Sequence, residues 1–467
     1  MNEMREHAGP SSRIDPSVWK VAVVVSIGSF MAQMDSTLVN VSLSTIGHAL
    51  DSPIATAQWI VSGYLLAMAL VLPLNGWLVD RVGAKRLYLF AFTTFTLASI
   101  LCGAAQTMGE LIAARIFQGL VAGLLAPMAQ MMIARVAAGN MERAMGYAAL
   151  PILLGPILGP VLAGAVLARA SWPWLFLINV PVGMLGVVLA ALLLEPDTGL
   201  LQRRRFDFTG FALISPGLVA LLYGLQNALH AEGIMPLLSG VALLAAFVWY
   251  SKLRGSSALI DVRMFADRKF AVPAITQFLA SGMLYGRQLA VPLYLIAGCG
   301  LSTSQAGWLL ASMGVGMMVS FACIGFLTNR LGCRAVAAGG ALLALLATLS
   351  FLWMTGHRLS GGVALASLFL AGLGQGTISI PSISAAYASM PKARLPVANT
   401  ALNIAQRIGG PVATTLISIS LSLAVPTSSG VQPRHFLLAF AMLSGIHFLC
   451  FAAAMLLPAK VQRASTG

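Results

Sequence analysis

The chain is a succession of apolar runs, each long enough to cross a bilayer. A transmembrane helix needs about 20 largely apolar residues. Runs of that kind fall near 18–41, 54–78, 87–106, 110–134, 144–167 and 174–194, then near 208–228 and 234–251. A last set lies near 270–298, 304–327, 335–355, 362–388, 396–424 and 435–458. Fourteen spans are therefore expected, joined by mostly short loops that make consecutive helices antiparallel neighbours. Composition points the same way: 9% of the residues are charged and 58% are hydrophobic, whereas soluble domains are about 25% charged. A soluble chain of 467 residues cannot hide that much apolar surface. Secreted, disordered and ordinary cytosolic classes are excluded, and an all-α integral membrane fold is expected.

The formal charge of +14 would suggest nucleic acid in a soluble domain. Here the basic residues sit singly or in short clusters between apolar runs, and Arg203-Arg204-Arg205 reads as a cytoplasmic anchor, so no nucleic-acid partner is expected. Cys102, Cys299, Cys323, Cys333 and Cys450 lie far apart without a CxxC pair, which argues against a disulfide framework or a metal site. With the N-terminus inside, the inner loops and tails hold 22 of the 28 Lys and Arg residues and the outer loops hold three. That asymmetry places both termini in the cytoplasm. Arg115, Arg287 and Arg407 fall within spans, and Asp35 is the acid that lies well inside one. Ionisable groups at membrane depth are costly and mark function by default.

The segment Gly76-Trp-Leu-Val-Asp80-Arg81-Val-Gly83-Ala-Lys85-Arg86 follows the second span. Gly325-Phe-Leu-Thr-Asn329-Arg330-Leu-Gly332-Cys-Arg334 follows the tenth, 249 residues on, at the equivalent place in a second set of six helices. The expected organisation is a cytoplasmic tail (1–17), an N-terminal six-helix half (18–200), two inserted helices with linkers (201–265) and a C-terminal six-helix half (266–460). Duplicated halves suit a transporter whose mid-membrane site opens alternately to each side.

Four motifs in order resemble the major facilitator superfamily, specifically its fourteen-helix drug:proton antiporters, over roughly residues 20–458. Asp35-Ser-Thr37-Leu-Val39-Asn40-Val41-Ser-Leu43 resembles D-x-T-x-V-N-V-A-L of helix one. The Gly76–Arg86 segment is similar to the superfamily signature between helices two and three. Arg115-Ile-Phe-Gln118-Gly119 resembles the R-x-x-Q-G of helix four, and Gly155-Pro156-Ile-Leu-Gly159-Pro160-Val-Leu-Ala163-Gly164 resembles the antiporter motif of helix five, with Ala163 replacing a glycine. The resemblance implies that helix five packs against the C-terminal half and restricts leakage. It also implies that Gly76, Asp80, Arg81, Gly83 and Arg86 form a cytoplasmic gate, with the Asp80 carboxylate latching that side shut. The second copy carries Asn329 and lacks the charge. A plain kinked packing helix and a solvated loop needed for insertion are the alternative readings.

Asp35 is the expected proton carrier. Burial favours its neutral form and a nearby cation favours the carboxylate, so the balance can change as the site opens to either side. The resemblance makes Arg115 the counter-charge; at an effective dielectric of about 20, a charge ~4 Å away is worth roughly 4 kcal/mol. A permanent ion pair joining helices one and four is the structural alternative. At 100° per residue Gln33, Thr37, Asn40 and Ser44 share one face of the first helix while Asp35 and Ser42 lie nearly opposite, and which side meets the proton stays open. Arg287 either faces the cavity, favouring a carboxylate, phosphate or polar neutral compound, or snorkels to the headgroups. For Arg407 both a structural and a substrate-contact role stand. Trp59, Tyr64, Met128, Met131, Tyr294, Trp308 and Tyr387 are candidates for an adaptable lining. His48 and His447 read as lone histidines without an evident partner.

The expected function is proton-coupled export of lipophilic drugs or toxic compounds by alternating access in the bacterial cytoplasmic membrane. The alternative is a dedicated exporter of a metabolite, lipid or anionic compound using Arg287. An enzyme is not expected, since no catalytic acid cluster or polar loop stands out, and the tails are too short for a signalling domain. No cofactor is called for; the proton gradient supplies the energy, the bilayer and a small molecule are the partners, and the unit is a monomer.

Overall fold

A computed structural model describes residues 16–137, 141–196, 205–391, 394–424 and 432–459. Arg203, Arg204 and most of the N-terminal tail lie outside the described residues, as does the side chain of Pro160. The described residues form long helices and no strand. We label them α1 (Pro16–Ala49), α2 (Ile54–Val82, bent through a 3-10 turn at Leu72–Leu74), α3 (Ala84–Ala104), α4 (Met108–Val136), α5 (Met141–Leu167), α6 (Trp174–Leu193), α7 (Phe208–Gln226), α8 (Ala231–Arg254) and α9 (Arg268–Leu293). A continuous stretch, Thr303–Met354, breaks at Gly332 into α10 (303–331) and α11 (333–354). Then follow α12 (Gly361–Ala388), α13 (Leu395–Ala424) and α14 (Leu437–Met455). Among the described residues, eleven helices are long and apolar enough to cross a membrane, with Thr303–Met354 counted once.

Local chemistry sets the helix ends. Thr107 accepts from the Glu110 amide at the start of α4, and Ser302 with Gln305 forms a reciprocal capping box at the start of α10. Asp207 caps α7 through Gly210 N and also accepts from Tyr250 OH and Leu259 N, so one carboxylate ties the start of α7 to the end of α8. Gly83 (φ 95°, ψ 154°) and Gly332 (φ 83°, ψ 161°) adopt the same backbone 249 residues apart. That region is open essentially to glycine alone, so one turn is built twice at the matching helix junctions.

Packing gathers α1–α6 into one group and α9–α14 into a second. In the first, α1 lies on α5, α2 on α4 and α3 on α6; in the second, α9 lies on α13, α10 and α11 on α12, and α11 on α14. The hairpin α7–α8 touches both groups. Tyr223 stacks on Trp59 of α2, and Thr415 of α13 donates to the Leu225 carbonyl of α7 at 2.8 Å. The groups meet each other mainly at the end of the bundle that carries Arg81, Lys85, Arg135 and Arg143, called here the basic end.

Candidate functional site

The Asp35 side chain lies wholly within the first group, 0% exposed, and pairs with Arg115 (1% exposed) at 2.6 Å. Four helices besides α1 hold this pair. Asn179 of α6 donates its Nδ2 to Asp35 Oδ1 at 2.7 Å. Arg115 of α4 also donates to Gln118 Oε1 at 2.6 Å and, through Nε, to the Ile60 carbonyl of α2 at 3.3 Å. Gln118 in turn donates to Ser99 Oγ of α3 at 2.9 Å. The guanidinium lies over the Tyr64 ring at 4.2 Å and 5.7 Å from the Phe176 ring. Both Asp35 oxygens are thus hydrogen-bonded by donors held from separate helices, and water is excluded.

Tyr64, 2% exposed, is packed within the first group beneath the Arg115 guanidinium. Gln33 and Asn40 are exposed and Thr37 is half-buried, whereas Ser42 and Asp35 are buried. The two polar sides of α1 are consequently different in kind: one is accessible and one is packed.

At the basic end, four side-chain hydrogen bonds join the groups among the described residues. Asn399 Nδ2 donates to the Pro127 carbonyl at 2.7 Å and Asn403 Nδ2 to Gln130 Oε1 at 3.1 Å. Ser384 Oγ donates to Glu142 Oε1 at 2.5 Å, and Cys333 approaches the same oxygen at 3.9 Å. Tyr387 OH completes this layer by donating to Asn399 Oδ1. Backbone proximity reinforces it: a Cβ at Gly76 would stand 3.1 Å from the Pro396 carbonyl, and one at Gly146 would stand 2.5 Å from the Phe321 carbonyl. Beside this seam a cleft of about 590 Å³ is lined by Trp77, Asp80, Arg205, Phe206, Arg254 and Val397 among others. Asp80 is buried, while Arg81 and Arg86 are exposed, with Arg81 beside the Trp77 ring at 5.7 Å. Lys85 caps the end of α6 through the Leu194 carbonyl.

Helix five, α5, does pack on the second group, though its motif glycines face α1. Gly155 and Gly159 are one turn apart and face Gln33 and Thr37 of α1 in the same group. Contact of α5 with the second group comes instead from Glu142, Arg143 and Gly146, nearer the helix start. The reason is steric, because glycines spaced i and i+4 make a groove that the i and i+4 side chains of α1 fill. Nothing stands within 4 Å of a Cβ at Gly164.

Several lining candidates are packing residues. Met128 and Met131 are fully buried in an apolar cluster to which both groups contribute. Tyr294 is enclosed by Phe351, Phe436 and Phe440. Trp308 is 78% exposed on α10; Trp59 is partly exposed and stacked on Tyr223. Arg287 is 3% exposed and bonded inward rather than extended to a headgroup layer. His447 is not a lone histidine, for it accepts from Arg287. Gln118 stands in the helix-four motif, whereas Asn179, Ser99, Glu142, Ser384, Asn399 and Asn403 were not legible as site residues from sequence; for them a polar side chain inside or beside an apolar run was the available signal.

Comparison with known proteins fits this geometry. The family model of the Major Facilitator Superfamily matches residues 25–414. The chain is 33% identical over 409 residues to the multidrug resistance protein B homolog of Mycobacterium tuberculosis strain H37Rv, covering 86% of this chain and 75% of that protein. It is 36% identical over 337 residues to the putative multidrug resistance protein MdtD of Serratia proteamaculans, covering 70% and 69%. Among solved structures it is similar to the proton:xylose symporter XylE bound to 6-bromo-6-deoxy-D-glucose (TM-score 0.64, 13% identity, 92% and 94% covered), a likeness of fold alone. The chain belongs to the major facilitator superfamily. It is accordingly a transporter rather than an enzyme, a multi-pass protein of the bacterial inner membrane.

Proposed function

We propose that the chain exports lipophilic toxic compounds from the bacterial cytoplasm in exchange for protons, by alternating access and as a monomer. The observation that carries this reading is the buried Asp35–Arg115 pair, held at 2.6 Å by donors from separate helices. The names of the relatives, multidrug resistance protein B homolog and MdtD, support the substrate class. Protonation of Asp35 leaves Arg115 as a buried cation stacked on Tyr64 of α2. A proton is thereby coupled to the surface that a substrate meets. The accessible side of α1, with Gln33, Thr37 and Asn40, is the face offered to substrate, and Asp35 acts from the packed side.

In this reading the basic end is cytoplasmic and the structure is closed on that side, sealed by Gly76 against α13, by Asn399 and by Glu142–Ser384. Asp80 and the adjoining cleft belong to the gate. The two groups are the six-helix halves, with α7–α8 inserted between them. Adding α5 and α9, of 27 and 26 residues, and counting both sides of Gly332 brings the spans to fourteen, with both termini inside. The energy source is the proton gradient, without a cofactor.

The test is ligand-induced proton movement in energised inverted vesicles, comparing wild type with Asp35→Asn across cationic, neutral and anionic compounds. Proton release driven by cationic or neutral lipophiles in wild type but not in the variant is the expected result. Equal release by the variant, or a response confined to anions, would overturn it.

A further inference from the structure

The second group holds a buried polar cluster that the proton reading does not use. Arg287 of α9 donates through Nη2 to the Ala344 carbonyl at 3.2 Å, to Thr348 Oγ1 at 3.1 Å and to His447 Nε2 at 2.5 Å. The histidine tautomer follows from its other contact. His447 Nδ1 lies 2.6 Å from the Leu443 carbonyl, which can only accept, so Nδ1 carries the proton and Nε2 offers a lone pair. All three partners of Nη2 are therefore neutral. Nη1 is buried and has no hydrogen-bond partner, and among the described residues no carboxylate pairs with Arg287.

The first group shows what such an arginine is ordinarily matched with. Thr348 follows Ser99 by 249 residues, the offset that separates Gly76 from Gly325. Ser99 closes the cluster around Arg115, and Thr348 closes the one around Arg287. The two hydroxyls share a repeat position but differ in partner: Ser99 accepts from Gln118, which in turn holds Arg115, whereas Thr348 accepts from Arg287 directly. Arg115 faces Asp35, while Arg287 faces no acid among the described residues. An arginine keeps its charge even when buried, and a charge at membrane depth is retained where it pairs. The guanidinium fork matches the two oxygens of a carboxylate.

We propose that Arg287 is an anion-binding residue, and that Nη1 takes a carboxylate or a small inorganic anion in the role that Asp35 plays for Arg115. His447 and Thr348 are positioning residues that hold Nη2 so that Nη1 presents its donors. Nη1 is enclosed in the arrangement closed at the basic end, so the anion reaches it in another state of the cycle. The inference stands apart from proton coupling at Asp35.

The experiment uses the purified full-length protein and reads its melting temperature against rising chloride, acetate or benzoate, with ionic strength held constant by methanesulfonate. A ligand that binds the folded state raises Tm with the logarithm of its concentration. The expected result is an upward shift that grows with the logarithm of anion concentration in wild type and in Asp35→Asn and that Arg287→Met abolishes. Arg287→Lys, which keeps the charge and loses the Nη1 donors held in place by the Nη2 contacts, is expected to weaken the response to both kinds of anion. It carries the comparison if the Met variant does not fold. A larger shift with acetate or benzoate identifies the carboxylate of an organic compound; an equal shift with chloride identifies an inorganic anion. No concentration-dependent upward shift in wild type, or shifts of wild-type size in both Arg287 variants, overturns the proposal. Retention of the response in Asp35→Asn keeps this outcome separate from the fate of the proton reading.

Discussion

Replacing Asp35 by Asn, Arg115 by Met, and both together separates the stability of the buried pair from its use. Asn is nearly isosteric with Asp. It can still accept from Arg115, while Asn179, whose Oδ1 has no partner in the wild-type cluster, can turn its amide to accept from the new Nδ2. The hydrogen bonds thus survive and the charge alone is lost. Breaking a fully buried pair by removing one partner costs about 3–5 kcal/mol, because the other charge is left without compensation. At ~2.1 cal/mol/K per residue over 467 residues, unfolding carries an entropy of about 1 kcal/mol/K, so Asp35→Asn is expected to lower Tm by about 3–5 °C. Arg115→Met strands the carboxylate and is expected to cost a similar amount. The double variant leaves no charge and should recover most of the loss, since replacing a whole buried pair by uncharged groups is often neutral or stabilising. Melting at one fixed scan rate measures all four proteins, and vesicle proton release measures function in parallel. The expected pattern is a double variant that melts near wild type and yet releases no protons. Additive losses in the double variant, or an unchanged Tm in Asp35→Asn, would refute the argument that the pair is desolvated and mutually compensated.

Asn399→Ala removes the bond to Pro127 and the acceptor of Tyr387, a loss of about 1–3 kcal/mol for the seam; cysteine labelling near Gly76 should become faster, and unchanged labelling counts against a closed basic end. Gly146→Val places carbon 2.5 Å from the Phe321 carbonyl, so α5 and α10 cannot close as they do here, and export should fall at least tenfold while protein remains in the membrane. Asn179→Leu strips Asp35 Oδ1 of its donor and should lower stability by about 1–3 kcal/mol, read as a Tm fall smaller than that of Asp35→Asn. Trp308→Ala, at a 78% exposed position, should change export less than twofold, and a larger loss would place Trp308 in the substrate path.

Length and polarity alone determined much of this protein. Apolar runs separated by short loops leave the chain no choice but helices that satisfy their own backbone in lipid. The acid in mid-span and the paired glycines at 83 and 332 are readable because each is improbable in its setting: a carboxylate is costly in an apolar run, and the positive-φ backbone of the two glycines excludes most other residues. Tertiary structure decided the rest. No periodicity says that the Asp35 side of α1 packs on α4 and α6 while the Gln33 side stays accessible, because both sides are polar. Gly155 and Gly159 announce a close contact without naming α1 as its partner. Asn399 and Glu142 look like ordinary polar residues near span ends until α13 and α5 bring them against Pro127 and Ser384. Arg287 and His447 stand 160 residues apart, and only the crossing of α9, α11 and α14 makes one cluster of them. Sequence records what each segment must bury; which buried groups meet depends on helix crossings that no segment encodes by itself.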